Sequence, residues 1–234
     1  MNRKLFILFI LIVIYSCKNT KNNNYNSIAK LESSDSVIKR VSTLFQIEIE
    51  QNYVLSKIDE ERFILALPNN FDEFVLFYGR RYQLKDGRRL FLSPDYHYFT
   101  LLPNLFYIDK KYLTEKLIQI SLNGNFDENR QISSMDSDSV SFLSNLIDAT
   151  AVFQKSIQLY FASNVTTTCQ VMKNLNNNEV LSFWNFYFYS PHPENYREDF
   201  EELQNRFIKY DKRITQLMKQ SYEKLLSEHD GHGH

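Results

Sequence analysis

Along most of this chain apolar residues recur at three- and four-residue spacings, a pattern that predicts helices rather than strands. Val37, Ile38, Val41, Leu44 and Phe45 follow the capping run Ser34-Asp35-Ser36 in this way. Asn70 with Glu73 three positions on reads as a capping pair ahead of Phe74, Val75, Phe77 and Tyr78, and Gly79 can close that helix. Ser93-Pro94 is a cap followed by proline at the first helical position, leading into Tyr96-His97-Tyr98. Asp109 opens a run whose Leu113, Leu117 and Ile120 share a face, closed by Asn123-Gly124. A longer helix over 136–162 is expected to bury Phe142, Leu143, Leu146, Ile147, Val152, Phe153 and Tyr160. Only 81–92 departs from this rhythm, where Lys85-Asp86-Gly87 between short Tyr/Leu and Leu/Phe segments predicts a β-hairpin.

The stretch "SFWNFYFYSPHPEN" (182–195) poses the sharpest question of the pattern. Asn176 and Glu179 start a helix on which Val180, Phe183, Trp184, Tyr187 and Phe188 fall on one face, and strand alternation is absent. Pro191 and Pro193 must end it near Ser190, so "SPHP" reads as a corner between helices. Beyond the corner Phe200, Leu203, Phe207, Tyr210, Ile214 and Leu217 alternate threes and fours, predicting a helix of nearly five turns with a packing seam. Most of these aromatics are therefore expected to be core. A doubly buried strand and a ligand surface are the alternatives. Phe186 and Tyr189 lie off the stripe and, with His192, are the candidates for contact with a ligand or partner.

Composition agrees with a helical reading. In 234 residues there are only five Gly and five Pro, too few for the turns of an all-β sandwich, and 43% hydrophobic residues can fill one core of ordinary size. With no fixed-period repeat and no long linker inside it, the chain is expected to form one mainly α helical-bundle domain over 35–227 with a short hairpin near 81–92. A formal charge of −1 and the lack of a basic stripe argue against nucleic acid as a partner.

The N-terminus changes the picture. Arg3 and Lys4 precede an uninterrupted apolar run over 5–14, and ten helical residues rise about 15 Å, half of a hydrocarbon core. The run suits a signal peptide over 1–16 better than a permanent span. The following "IYSC" (14–17) resembles a bacterial lipobox, with Tyr15 larger than the residue usual in its slot. The resemblance implies that Cys17 carries a thioether-linked diacylglycerol after cleavage behind Ser16, with its new amine acylated by a fatty acid such as palmitate. An uncleaved N-terminal anchor is the alternative. Two or three acyl chains hold a protein on a membrane where one chain does not. Cleavage removes Arg3 and Lys4, leaving 25 basic against 28 acidic side chains, a formal charge of −3. Cys169 then lacks an intrachain partner, which excludes a disulfide scaffold. The Asn- and Lys-rich segment after Cys17 reads as a tether to residue 34, about seventeen residues with a reach of roughly 20 to 25 Å.

Catalytic chemistry is hard to find. His192 beside Glu194 has the residue types of an acid–base pair, but no nucleophile or second group stands at a recognisable spacing, and a corner histidine with a structural hydrogen bond is expected instead. His97 is expected to be a packing residue. The tail over 228–234, with His229, Asp230, His232 and His234, offers loose ligands for Zn²⁺ or Cu²⁺ but no rigid frame. It is expected to be disordered, and neither a metal centre nor a cofactor is expected. No Gly-rich phosphate loop, Gly-x-Ser-x-Gly, His-Glu-x-x-His or Cys-x-x-Cys occurs.

A wider resemblance covers about 130 residues. "LPNNFDEFVLFYG" (67–79), "LIQISLNGNFD" (117–127) and "SFWNFYFYSPHPEN", in that order behind a lipobox, resemble a group of uncharacterised Bacteroidetes-type lipoproteins, some of them suspected to be immunity proteins against secreted toxins. The resemblance implies binding rather than catalysis, a protein partner, and a place in the bacterial envelope. Surface-exposed lipoproteins of this type carry acidic residues after the lipidated Cys, whereas Lys18, Asn19, Thr20 and Lys21 follow here, which implies the periplasmic face of the outer membrane. A lipid-anchored hydrolase or glycan-binding protein is the competing expectation. An exposed cleft joining Trp184, His192 and a carboxylate would favour it; a filled core would favour the binding protein.

Overall fold

The helix starts marked by capping pairs are where the helices begin. The computed structural model describes residues 36–47, 55–84, 86–122, 124, 143–190 and 192–230, so Cys17, the expected signal peptide and tether, Phe142 and the last four residues lie outside the account that follows. Helix α1 is Ser36–Gln46 and α2 is Lys57–Ala66. In α3, Phe71–Tyr78, the Asn70 side chain accepts from the Glu73 N–H at 2.9 Å, and the Gly79 N–H closes the other end on the Val75 carbonyl. Strands β1, Arg81–Gln83, and β2, Arg89–Phe91, pair antiparallel with Tyr82 opposite Leu90, and Gly87 supplies the left-handed φ of +86° that their turn requires.

A 3-10 helix, Tyr96–Asn104, comes next. Its cap is Asp95, whose carboxylate accepts from the His97 N–H, and not the Ser93 expected from the sequence. Ser93 instead takes φ +35° and donates its N–H to the Phe77 carbonyl, a left-handed corner that no helix start could occupy. Asp109 caps α4, Lys110–Ser121, as expected. Then follow α5, Leu143–Ser163, α6, Val165–Met172, and α7, Asn177–Phe188. The capping box at the start of α7 is complete in both directions. After the 3-10 turn Pro193–Tyr196 come α8, Arg197–Phe207, and α9, Lys212–Asp230. The fold is mainly α, with one two-stranded hairpin among the described residues.

Three further expectations are corrected. The single helix predicted beyond the corner is broken at 208–211, because the Asp211 side chain accepts from the Ile214 N–H and starts α9 afresh. Tyr210, placed on the packing seam, is consequently exposed. On α5 the buried stripe runs through Leu146, Ala149, Phe153, Ile157 and Tyr160, which turns Ile147 outward and leaves Leu143 and Val152 half-buried. Helix α9 also continues to Asp230, so Glu228 and His229 belong to its last turn.

Helix α7 lies at the centre. Val180, Phe183, Trp184, Phe186, Tyr187 and Phe188 are all buried, so the helix is wrapped on every side. One side meets Phe71 and Phe153 through Phe186; the other meets Phe207 through Trp184 and Tyr222 through Phe188. The carbonyls left over at the end of α7 are taken by α5. Gln154 Nε2 donates to the carbonyls of Phe186 (2.8 Å) and Tyr189 (2.7 Å), and Gln158 Nε2 donates to that of Tyr187 (2.8 Å). Those bonds fix the point at which the chain turns into the corner.

At the other end of the domain, Arg40 of α1 donates to the Leu67 carbonyl and to Glu73 Oε1 at 2.8 Å. Burial opposes the charged form of Glu73, but Arg40 and the Asn69 N–H outweigh it and hold the carboxyl below its usual range. Lys116 of α4 lies against the same group, and burial, reinforced by Arg40 and opposed by Glu73, brings its ammonium down to about 8 from 10.5. A pKa lowered by folding means that the unfolded chain binds more protons between those values, so Lys116 contributes increasing stability as pH rises from about 8 to 10.5. The wild type should therefore gain stability relative to Lys116→Met across that window in denaturant titrations. A difference independent of pH would show that folding leaves the ammonium unperturbed.

Candidate functional site

Of the residues singled out by sequence, Phe186 is corrected: it is 2% exposed, packed between Phe71 and Phe153, with a ring carbon 2.6 Å from where a Cβ on Gly124 would stand. It contacts no solvent because the helix bearing it is central rather than amphipathic. Tyr189, just past the end of α7, is partly exposed, and His192 is exposed at the corner. Cys17 lies outside the described residues.

The corner brings His192 together with a residue no spacing rule connects to it. His192 Nδ1 stands 3.3 Å from Glu194 Oε1, and His229 Nε2, from the last turn of α9, stands 3.7 Å from the other oxygen of the same carboxylate. The two imidazoles meet edge to face with ring centres 5.7 Å apart. Pro193 between the first two residues is buried, and its carbonyl accepts from the Tyr222 hydroxyl at 3.1 Å. Tyr222 and His229 are seven residues apart on α9 and so share a face, which is why the hydrogen bond also carries His229 to the corner. The Glu194 carboxyl is held below its ordinary range by its own backbone N–H first, and then by His229 and His192.

Trp184 is fully buried, so no cleft joins it to His192. Its indole N–H has no hydrogen-bond partner among the described residues. A cleft of about 330 Å³ lies elsewhere, between the start of α6 and the end of α8, lined by Asn164, Thr166, Thr167, Arg206, Lys209 and Tyr210. A smaller cavity of about 110 Å³ lies beside Gln158, Tyr187 and Asp199. Cys169 is buried, and burial pushes its thiol up to about 12, so it offers no thiolate nucleophile near neutral pH.

A second feature was not legible as a site. Glu60 on α2 is 2% exposed, and its carboxylate accepts from three successive backbone N–H groups: Phe106 (2.7 Å), Tyr107 (2.6 Å) and Ile108 (3.0 Å). Lys110 Nζ donates to the Leu105 carbonyl at the base of the same segment. The segment is fixed while its side chains point outward: Phe106 is 79% exposed and Tyr107 54%. Helix α2 itself leaves Ile58 and Leu65 exposed, two turns apart on one face. Sequence offers a weak signal for this, an apolar run "LFYI" (105–108) between Asn104 and the Asp109 cap, outside any helical pattern.

Compared with protein-family models, with curated proteins and with solved structures, the chain matches none.

Proposed function

We propose that this chain is an envelope-anchored lipoprotein whose helical domain binds another protein, in the manner of an immunity protein meeting a toxin in the periplasm. The observation that carries the binding half is the Phe106-Tyr107 edge. Two aromatic side chains, exposed on a segment whose backbone is clamped by a buried carboxylate, form a contact surface that needs no ordering on binding, and rigid aromatic anchors dominate protein interfaces. The filled core around Trp184 supports the same reading, since the aromatic stretch leaves no groove for a glycan there. Anchoring rests on the lipobox-like sequence at Cys17. No helix among the described residues is long and apolar enough to cross a membrane.

One experiment addresses both halves. A photo-crosslinking residue replacing Phe106 in cells should capture a discrete partner, and one replacing the exposed Lys219 of α9 should not. With Cys17→Ser the protein should leave the detergent phase and lose labelling by a fatty-acid analogue. The binding reading fails if both positions capture the same material or neither captures any. Retention of the Cys17→Ser protein on membranes would replace lipidation with an uncleaved anchor. Digestion of the domain in intact, unpermeabilised cells would place it on the surface and favour glycan binding.

A further inference from the structure

We infer that His192, Glu194 and His229 form a binding site for a divalent transition-metal ion, with zinc as its best fit, that ties the corner after α7 to the end of α9. The three ligand atoms lie within 4.8 Å of one another. A tetrahedral ion with bonds of about 2.0 to 2.1 Å sets its ligands about 3.3 to 3.4 Å apart. His192 Nδ1 already stands at that edge from Glu194 Oε1, 3.3 Å away, whereas His229 Nε2 stands 3.7 Å from Oε2, so sharing one oxygen requires its imidazole to close in from within the 4.8 Å limit. The adjustment falls on the His229 and Glu194 side chains as well as on the distance between the imidazoles, and all three side chains are exposed with room to turn.

The charges favour a cation at this point. In the tautomers that turn lone pairs inward, two imidazole nitrogens and the Glu194 carboxylate face one region, where a metal ion would replace the N–H protons that otherwise bridge them. His229 also lies in the last turn of a nineteen-residue helix, where free backbone carbonyls add negative potential. The backbone on both sides is locked. Pro193 is buried, its carbonyl takes the Tyr222 hydroxyl, the Asn195 N–H donates to the His192 carbonyl at 3.1 Å, and the Tyr222 ring stacks on Phe200 at 4.4 Å. That is the rigid frame a flexible histidine tail lacks. Two imidazoles and one carboxylate select zinc, copper or nickel over magnesium or calcium, which take oxygen sets, and three protein ligands leave one position for water or a further side chain. The sequence continues Asp230-Gly231-His232-Gly233-His234, so imidazoles that can bind metal without the frame follow close behind.

The test must separate the framed site from those tail imidazoles. The full chain, purified in detergent micelles and stripped with EDTA, is titrated with Zn²⁺ by calorimetry, and with Co²⁺ for its visible spectrum. One Zn²⁺ should bind per chain in the micromolar range, and the His232→Ala/His234→Ala double variant should keep that stoichiometry. In the double-variant background, His192→Ala, Glu194→Gln or His229→Ala should each weaken binding by about tenfold or more, as loss of a ligand does at least as strongly as loss of its support. The intense Co²⁺ bands of a four-coordinate site should fade in the same three variants. All are exposed positions, and melting in EDTA should match the wild type. Loss of binding in the double variant alone would assign the metal to the tail and overturn the inference. So would affinity unchanged by His192→Ala, or no binding below millimolar Zn²⁺, in which case Glu194 merely bridges two imidazoles.

Discussion

Trp184→Ala is expected to cost about 3 to 5 kcal/mol, at the upper end for truncation of one core side chain. The ring is fully buried and touches aromatics on every side: it stacks near-parallel with Phe188 (5.8 Å between centres), and meets Phe183 (5.0 Å), Tyr187 (5.3 Å) and Phe207 (5.2 Å) edge to face. Removing it leaves a void bounded by α7 and α8, which are held apart by the other rings and cannot collapse into it. For a domain of this size the melting temperature should fall by roughly 6 to 20 °C. Trp184→Phe sharpens the argument. It retains most of the contact and removes the indole N–H that has no partner, a group whose burial costs on the order of 1 to 3 kcal/mol. Its loss should therefore be much smaller than that of alanine. A Trp184→Ala protein that melts like the wild type but fails to bind its partner would show the ring to be a contact residue, and the core reading would be lost.

What the sequence reveals of this fold is local, and what it conceals is tertiary. Capping pairs state their geometry in four residues, which is why Asn70 with Glu73, Asp109, and Asn176 with Glu179 each mark a real helix start. The same principle was available at Asp211, but a continuous three-four rhythm from Phe200 to Leu217 hid the break, because two helices meeting at a tight turn can keep their apolar faces in phase. Helix α2 carries little periodic signal of its own, since it buries a glutamate, and α6 is short with five β-branched residues among eight, which favour strand over helix. Phe186 shows the limit most clearly. An amphipathic reading assigns one face of α7 to the core and the rest to contact, and only the packing of Phe71 and Phe153 against the opposite face makes the helix central.

The candidate sites were legible in proportion to their compactness in sequence. His192 and Glu194 are two residues apart and were read together, while His229 reached them only through a helix that the sequence alone ends too soon. The tail expected from residue 228 placed His229 outside the domain, whereas α9 runs through it to Asp230 and so brings it to the corner. Glu60 lies 46 to 48 residues from the three N–H groups it holds, and no spacing rule spans that distance.

Glu60→Ala is expected to be the second large effect, and it joins stability to the proposed binding. Hydrogen bonds to a charged acceptor contribute about 1.5 to 3 kcal/mol each, but the Phe106, Tyr107 and Ile108 amides are only partly buried and water can reach them once the carboxylate is gone. A net loss of about 3 kcal/mol follows, less than the sum of three bonds. The more specific consequence is local. Amide exchange at 106–108 should accelerate far more than exchange in α5 or α7, because the Glu60 carboxylate is the acceptor of all three N–H groups. Glu60→Gln, which keeps one accepting oxygen and drops the charge, should fall between. If the Phe106-Tyr107 edge is the contact surface, partner affinity should decline in the same order, since each variant adds the entropy of ordering the segment to the cost of binding. Exchange at 106–108 as slow in Glu60→Ala as in the wild type would mean that the clamp does not set the edge. Fast exchange with partner affinity unchanged would keep the clamp and move the contact surface elsewhere.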